Sequence, residues 1–90
     1  MDDIALMREA LREAQAAYDR GECAVGALLV QGSQIVARAG NREAELHDPT
    51  AHAEILVLRE GGRRLGSHAF PSVPVVIRPY RQFVDLFSNH

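Results

Sequence analysis

Apolar and polar positions along this chain change period three times. From Asp3 to Arg20, Ile4, Met7, Leu11, Ala14 and Tyr18 recur every three or four residues, and Arg8, Glu9, Arg12 and Glu13 supply much of the opposite side. That spacing predicts a helix over 3–20 with those five residues on its buried face. Asp2 or Asp3 can cap its start, and Gly21 ends it. Residues 24–30 form a continuous apolar run that reads as a buried strand. Gln31-Gly32-Ser33 is turn chemistry and residues 34–39 read as a second strand, so the pair is most simply an antiparallel hairpin. Gly26 inside the first strand marks a bulge or a close approach of another backbone, with packing favoured over a substrate as the cause.

Gly40-Asn41-Arg42 then leads into a polar loop, Glu43 to Glu45. The Asn41 amide could read a base edge, but satisfying the turn is the simpler use for it. A second helix is expected to start at Asp48, with Asp48 as cap, Pro49 in the first helical position, and Ala51, Ile55 and Leu58 facing inward. Gly61-Gly62 should weaken or end it, and Arg63-Arg64 reads as a solvated pair. From Ser67 the character changes. Pro71, Pro74 and Pro79 interrupt a short run, Val73–Ile77, that suits an edge strand. Phe83, Val84, Leu86 and Phe87 have helical spacing over a stretch too short to be stable without packing.

These elements make one α/β domain over residues 1–90, with 67–90 as a divergent tail and no internal repeat or linker. The 47% apolar content is that of an ordinary globular chain, and a net charge of −2 argues against a broad electrostatic grip on nucleic acid. The single cysteine, Cys23, permits no intramolecular disulfide, so a reducing, cytoplasmic setting is expected. The acidic N-terminus lacks the basic region of a secretion signal, and the longest apolar run is far too short to span a bilayer.

The stretch that carries chemistry runs from His47 to Glu60. His52 and Glu54 sit near the mouth of the expected helix, whose partial positive charge favours anions. An imidazole and a carboxylate held there could serve a metal ion and the hydroxide it generates. His-x-Glu is also the first half of the zinc deaminase signature, whose second half, Pro-Cys-x-x-Cys, brings two cysteine ligands. That second half has no counterpart here, and Cys23 lies upstream. Cys23, His47 and His68 are chemically permissible additions to His52, although His47 need not share a helix face with it.

Taken together, Ala24-Val25-Gly26-Ala27, Gly40-Asn41-Arg42 and His47-Asp48-Pro49-Thr50-Ala51-His52-Ala53-Glu54 resemble the N-terminal part of the cytidine and deoxycytidylate deaminase superfamily. Leu58-Arg59 and Gly61-Gly62 fit as well, and the likeness covers roughly residues 4–66. Within the superfamily the pattern is most like that of bacterial tRNA adenosine deaminases. The resemblance implies a three-layer α/β/α cytidine-deaminase-like fold with a mixed sheet, present here in part. It implies hydrolytic deamination of adenosine to inosine in a tRNA anticodon loop, with zinc as cofactor. By position, His52 would be the first zinc ligand and Glu54 the proton shuttle. Asn41 would hydrogen-bond the base or its sugar, Val25 and Ala27 would form the pocket floor, and Ala53 would offer a backbone N–H to the base.

Two of three zinc ligands have no match in this sequence, so the chain is expected to be incomplete as a catalyst and inactive alone. The alternative is a catalytically inactive remnant, or a module of deaminase fold that binds a nucleoside or RNA without chemistry. Strands on which the hairpin and helices pack in the family are also unmatched. Self-association or a homo-oligomer is therefore expected, with tRNA or a nucleoside as the other partner.

Overall fold

The computed structural model describes residues 2–66 and the strand at 75–78. The elements run α1 (Asp3–Asp19), β1 (Gly26–Gln31), β2 (Gln34–Gly40), α2 (Glu43–Leu46), α3 (Ala53–Leu65) and β3 (Val75–Arg78). The sheet order is β2-β1-β3, and β1 is antiparallel to both neighbours. The strand expected at 73–77 thus appears at 75–78, at an edge of the described sheet. Val73 and the Phe83–Phe87 stretch lie outside the described residues. The described strands pair antiparallel only, where the resemblance implies a mixed sheet.

Side chains on β1 alternate between two layers, as the pleat requires. Ala27 and Leu29 join Ala37, Ala53 and Val57 in a core beneath α3. Leu28 and Val30 pack with Ala10 beneath α1. The sheet therefore lies between two helices, the three-layer α/β/α arrangement that the resemblance implies. A two-residue turn joins β1 to β2, and Gly32 supplies the positive φ (62°) that such turns need. The bulge falls between Leu29 and Val30, away from Gly26.

Gly26 instead receives the backbone of α1. A Cβ there would lie 2.1 Å from the Ala10 carbonyl oxygen and 2.6 Å from the Ala14 nitrogen. Its register partner across the hairpin is Gly40. A Cβ at Gly40 would meet the Glu13 carbonyl oxygen at 2.7 Å. The two glycines thus form a bare saddle, and only small side chains fit between it and the helix. This corrects the buried face of α1 in part, since Ala14 is buried as expected and Leu11 packs partly buried beside it. Ala10, Ala14 and Ala17 are fully buried, whereas Ile4 (64% exposed), Met7 (41%) and Tyr18 (54%) lie outside the contact. Periodicity locates the helix, but the distance of approach selects alanines in place of the larger side chains. Asp2 caps it, its carboxylate accepting from the Ala5 N–H at 2.8 Å.

Two further expectations change in the second half. Residues 43–46 form a short helical turn, α2, in place of a loop, and α3 starts at Ala53, four residues beyond Pro49. Asp48 caps no helix. Its carboxylate accepts from the Thr50 N–H (2.8 Å) and hydroxyl (2.7 Å), closing a local turn. The inward face of α3 is accordingly Ala53, Val57 and Gly61, while Ile55 is only partly buried and Leu58 is exposed. The helix also runs through Gly61-Gly62 to Leu65 and ends at Gly66, in the left-handed conformation. Burial of Gly61 on the packed face and the bridging of Glu60 to Arg63 and Arg64 carry it past the glycines. No helix among the described residues is long and apolar enough to cross a membrane.

Candidate functional site

The polar convergence of the described structure lies where β2 ends, α2 intervenes and α3 begins. Asn41 follows β2 directly, and its N–H donates to the Val25 carbonyl at 3.2 Å, so its position is fixed by the start of the hairpin. His47 closes α2 in the left-handed conformation (φ 51°), which turns the chain back toward the sheet. The Arg42 N–H then donates to the Ala51 carbonyl at 2.9 Å, drawing the segment before α3 against the loop. His52 occupies the N-cap position of α3 with extended backbone (φ −76°, ψ 151°), and its side chain makes no capping bond. Glu54 falls in the first turn, where a carboxylate is stabilised by the helix dipole.

The cap comes from Asn41. Its Oδ1 accepts from the Ala53 N–H at 2.7 Å, and its Nδ2 donates to Glu43 Oε1 at 3.2 Å. These partners fix the amide's orientation, because a backbone N–H can only donate and an ionised carboxylate can only accept. Asn41 is 3% exposed, so both bonds are made almost out of water. The Glu43 Oε1 atom also stands 3.3 Å from His52 Nδ1. Glu54 has no hydrogen-bond or ion-pair partner among the described residues and is only partly buried, so its carboxylate is uncommitted.

Glu22 holds α2 from below. Its two carboxylate oxygens accept from the Ala44 and Glu45 N–H groups, each at 2.9 Å, satisfying donors that a helix start leaves free. The same two bonds hold the Glu22 carboxyl below its ordinary pKa of 4.5. Arg20 adds a bond from Nη2 to the Asn41 carbonyl at 3.2 Å. Asp48 is likewise lowered, first by the Thr50 hydroxyl and then by the Thr50 N–H.

Asn41 and His52 meet through Glu43, and Glu54 stands in the first turn of the helix whose start Asn41 holds. Val25 packs partly buried against the core under α3, in which Ala27 is fully buried. Ala53 is fully buried too, and its N–H, expected to be offered to a base, is already donated to Asn41. Cys23 is exposed. Two residues of the site escape sequence reading, Glu22 and Glu43. The bonds of Glu22 reach 22 and 23 residues ahead, and no local spacing marks them. Glu43 could have been found by asking what satisfies a buried asparagine two residues away.

A catalytic zinc takes three protein ligands and an open position. Among the described residues no three His, Cys, Asp or Glu side chains converge well enough to hold a metal. What is present is one signature ligand, His52, with a carboxylate beside it. The described residues by themselves do not fit a catalytic zinc.

The chain is 48% identical over 61 residues to a tRNA-specific adenosine deaminase of Aquifex aeolicus; this covers 68% of the chain and 40% of that protein. A solved structure from work on A-to-I editing by tRNA:A34 deaminases at the wobble position of transfer RNA matches with a TM-score of 0.77 and 44% identity. That match covers 79% of this chain and 51% of the other. Guanine deaminase from Bacillus subtilis matches at 23% identity with a TM-score of 0.81, over 94% of this chain and 58% of that one, and speaks for the fold alone. The chain spans less than half the length of the curated tRNA deaminases it matches. The model for the cytidine and deoxycytidylate deaminase zinc-binding region matches residues 1–78, and the chain belongs to that family.

Proposed function

We propose that this chain supplies one half of an adenosine deaminase site that acts on tRNA. In this reading His52 would be one ligand of a zinc whose other ligands come from a second polypeptide, and Glu54 would take and give a proton beside it. Zinc, when bound, would supply the activation of the attacking water. The Asn41 amide and the Val25–Ala27 strand start would form the wall behind these two residues, with Asn41 keeping the site's frame in register. The observation that carries the proposal is the uncommitted Glu54 carboxylate, two residues from a half-exposed His52 on a helix whose N-terminus is capped from elsewhere. A carboxylate that must both take and give a proton works best without a permanent partner.

In this reading the remaining zinc ligands come from elsewhere, and no deamination is expected from the chain alone. The test is complementation. The purified chain is incubated with zinc, a tRNA anticodon stem-loop and a polypeptide carrying the Pro-Cys-x-x-Cys half of the Aquifex aeolicus relative. Inosine is expected only when both polypeptides are present, and it should vanish with Glu54→Gln. Inosine formed by the chain alone would overturn the half-site reading. No inosine from the pair, despite a stable complex, would overturn the catalytic assignment.

A further inference from the structure

The N-terminus of α3 is capped by a residue that does not belong to it. An N-cap residue ordinarily turns its own side chain back onto the first-turn N–H groups. His52 occupies that position and does not do so. A different first-turn donor, the N–H of Ala53 that directly follows the N-cap, is met by Asn41, twelve residues earlier, and Asn41 is in turn steered by Glu43. We propose that Asn41 and Glu43 act as a paired external clamp, positioning residues that set the start of the helix that carries His52 and Glu54.

Three features support the pairing. The Asn41 amide is buried and has one bond at each end, to Ala53 N–H on one side and Glu43 on the other, so it cannot turn over without facing like against like. Glu43 is aimed by an anchor of its own, because Glu22 binds the two N–H groups that follow it in α2. One oxygen, Glu43 Oε1, lies within reach of both Asn41 Nδ2 (3.2 Å) and His52 Nδ1 (3.3 Å), so the group that orients the Asn41 amide also faces the His52 imidazole. The consequence for chemistry rests on the roles given to His52 and Glu54 above. The geometry does not.

The test exchanges the two partners. Asn41→Asp combined with Glu43→Gln reverses which side chain is the amide and which the carboxylate. The carboxylate introduced at position 41 still accepts from the Ala53 N–H, and the amide introduced at position 43 now donates to that carboxylate. Amide hydrogen exchange at Ala53, read residue by residue on the 90-residue chain, reports the cap directly. Protection is expected in the native chain. Exchange at Ala53 should rise about tenfold in Asn41→Ala, the scale on which a buried cap bond acts, with much smaller changes at Ala10 and Ala14 in α1. The reciprocal pair should restore protection, and Asn41→Asp alone should restore it less, because two carboxylates then face each other. If Asn41→Ala does not fold, Glu43→Ala, at a half-exposed position, should raise Ala53 exchange in the same selective way. An unprotected Ala53 in the native chain would overturn the proposal. So would a folded reciprocal pair that exchanges as fast as Asn41→Ala, since a merely space-filling asparagine has no reason to be rescued by exchange with its neighbour. Neither reading involves zinc or inosine, so failure of the deaminase assay would leave this result standing, and the converse also holds.

Discussion

The seat of α1 on the sheet and the mouth of α3 are held by different physics. On the α1 face, a helix backbone rests on the Gly26–Gly40 saddle through alanines, with no room for another carbon atom. At the mouth of α3, a buried amide, the carboxylates around it and a short helical turn hold each other by hydrogen bonds, and His52 and Glu54 keep partial access to solvent. Close packing fixes a distance and tolerates no change of volume. A polar network fixes directions, and it leaves side chains such as Glu54 uncommitted. The chain uses the first to build a rigid base and the second to present reactive groups.

This contrast can be broken from either side. The largest effect is expected at the saddle. Gly26→Ala drives a methyl group into the backbone of α1, and the helix must lift away. A loss of about 3 kcal/mol is expected in the urea unfolding free energy, at the upper end for overpacking. A variant of unchanged stability would show that α1 does not rest where described.

The polar side should respond to acid. Glu22 has its pKa lowered in the folded state by the Ala44 and Glu45 N–H groups. A carboxyl with a depressed folded pKa adds stability above its ordinary value of 4.5, and loses that contribution as pH falls through the lowered value. Glu22→Gln should therefore be less stable than the native chain near neutral pH. The difference between the two urea midpoints should shrink as the pH is taken below 4.5. A difference that stayed constant across that range would mean that the Glu22 charge contributes nothing.

The smallest effect is expected on the outer flank of α1. Ile4→Ser should change stability by no more than about 0.5 kcal/mol, as surface substitutions do, despite removing a large apolar side chain. A loss comparable to that of a core residue would restore the face that periodicity assigns and contradict the alanine one.

That last pair shows where sequence reading reaches its limit. The period of apolar residues locates α1 and the hairpin to within about two residues, because it reports which sides can be buried. It cannot report how closely the layers approach, and Gly26 with Gly40 settles that in favour of Ala10, Ala14 and Ala17. The start of α3 differs from expectation for a related reason. Asp48-Pro49 has the composition of a helix start, but Thr50 takes the Asp48 carboxylate locally, and a cap from Asn41 moves the helix start to Ala53. His52 and Glu54 are legible because their spacing is a chemical signature that needs no tertiary context. Glu22 and Glu43 are not, since their partners are defined only once the loop has folded back.

The measurement that bears most directly on the half-site account is the zinc content of the purified 90-residue chain by elemental analysis, with His52→Ala alongside. The account predicts far less than one zinc per chain, with no difference between the two proteins, because a stable site needs three ligands. About one zinc per chain in the native protein, lost in His52→Ala, would contradict it and show that the chain completes a zinc site with its own residues.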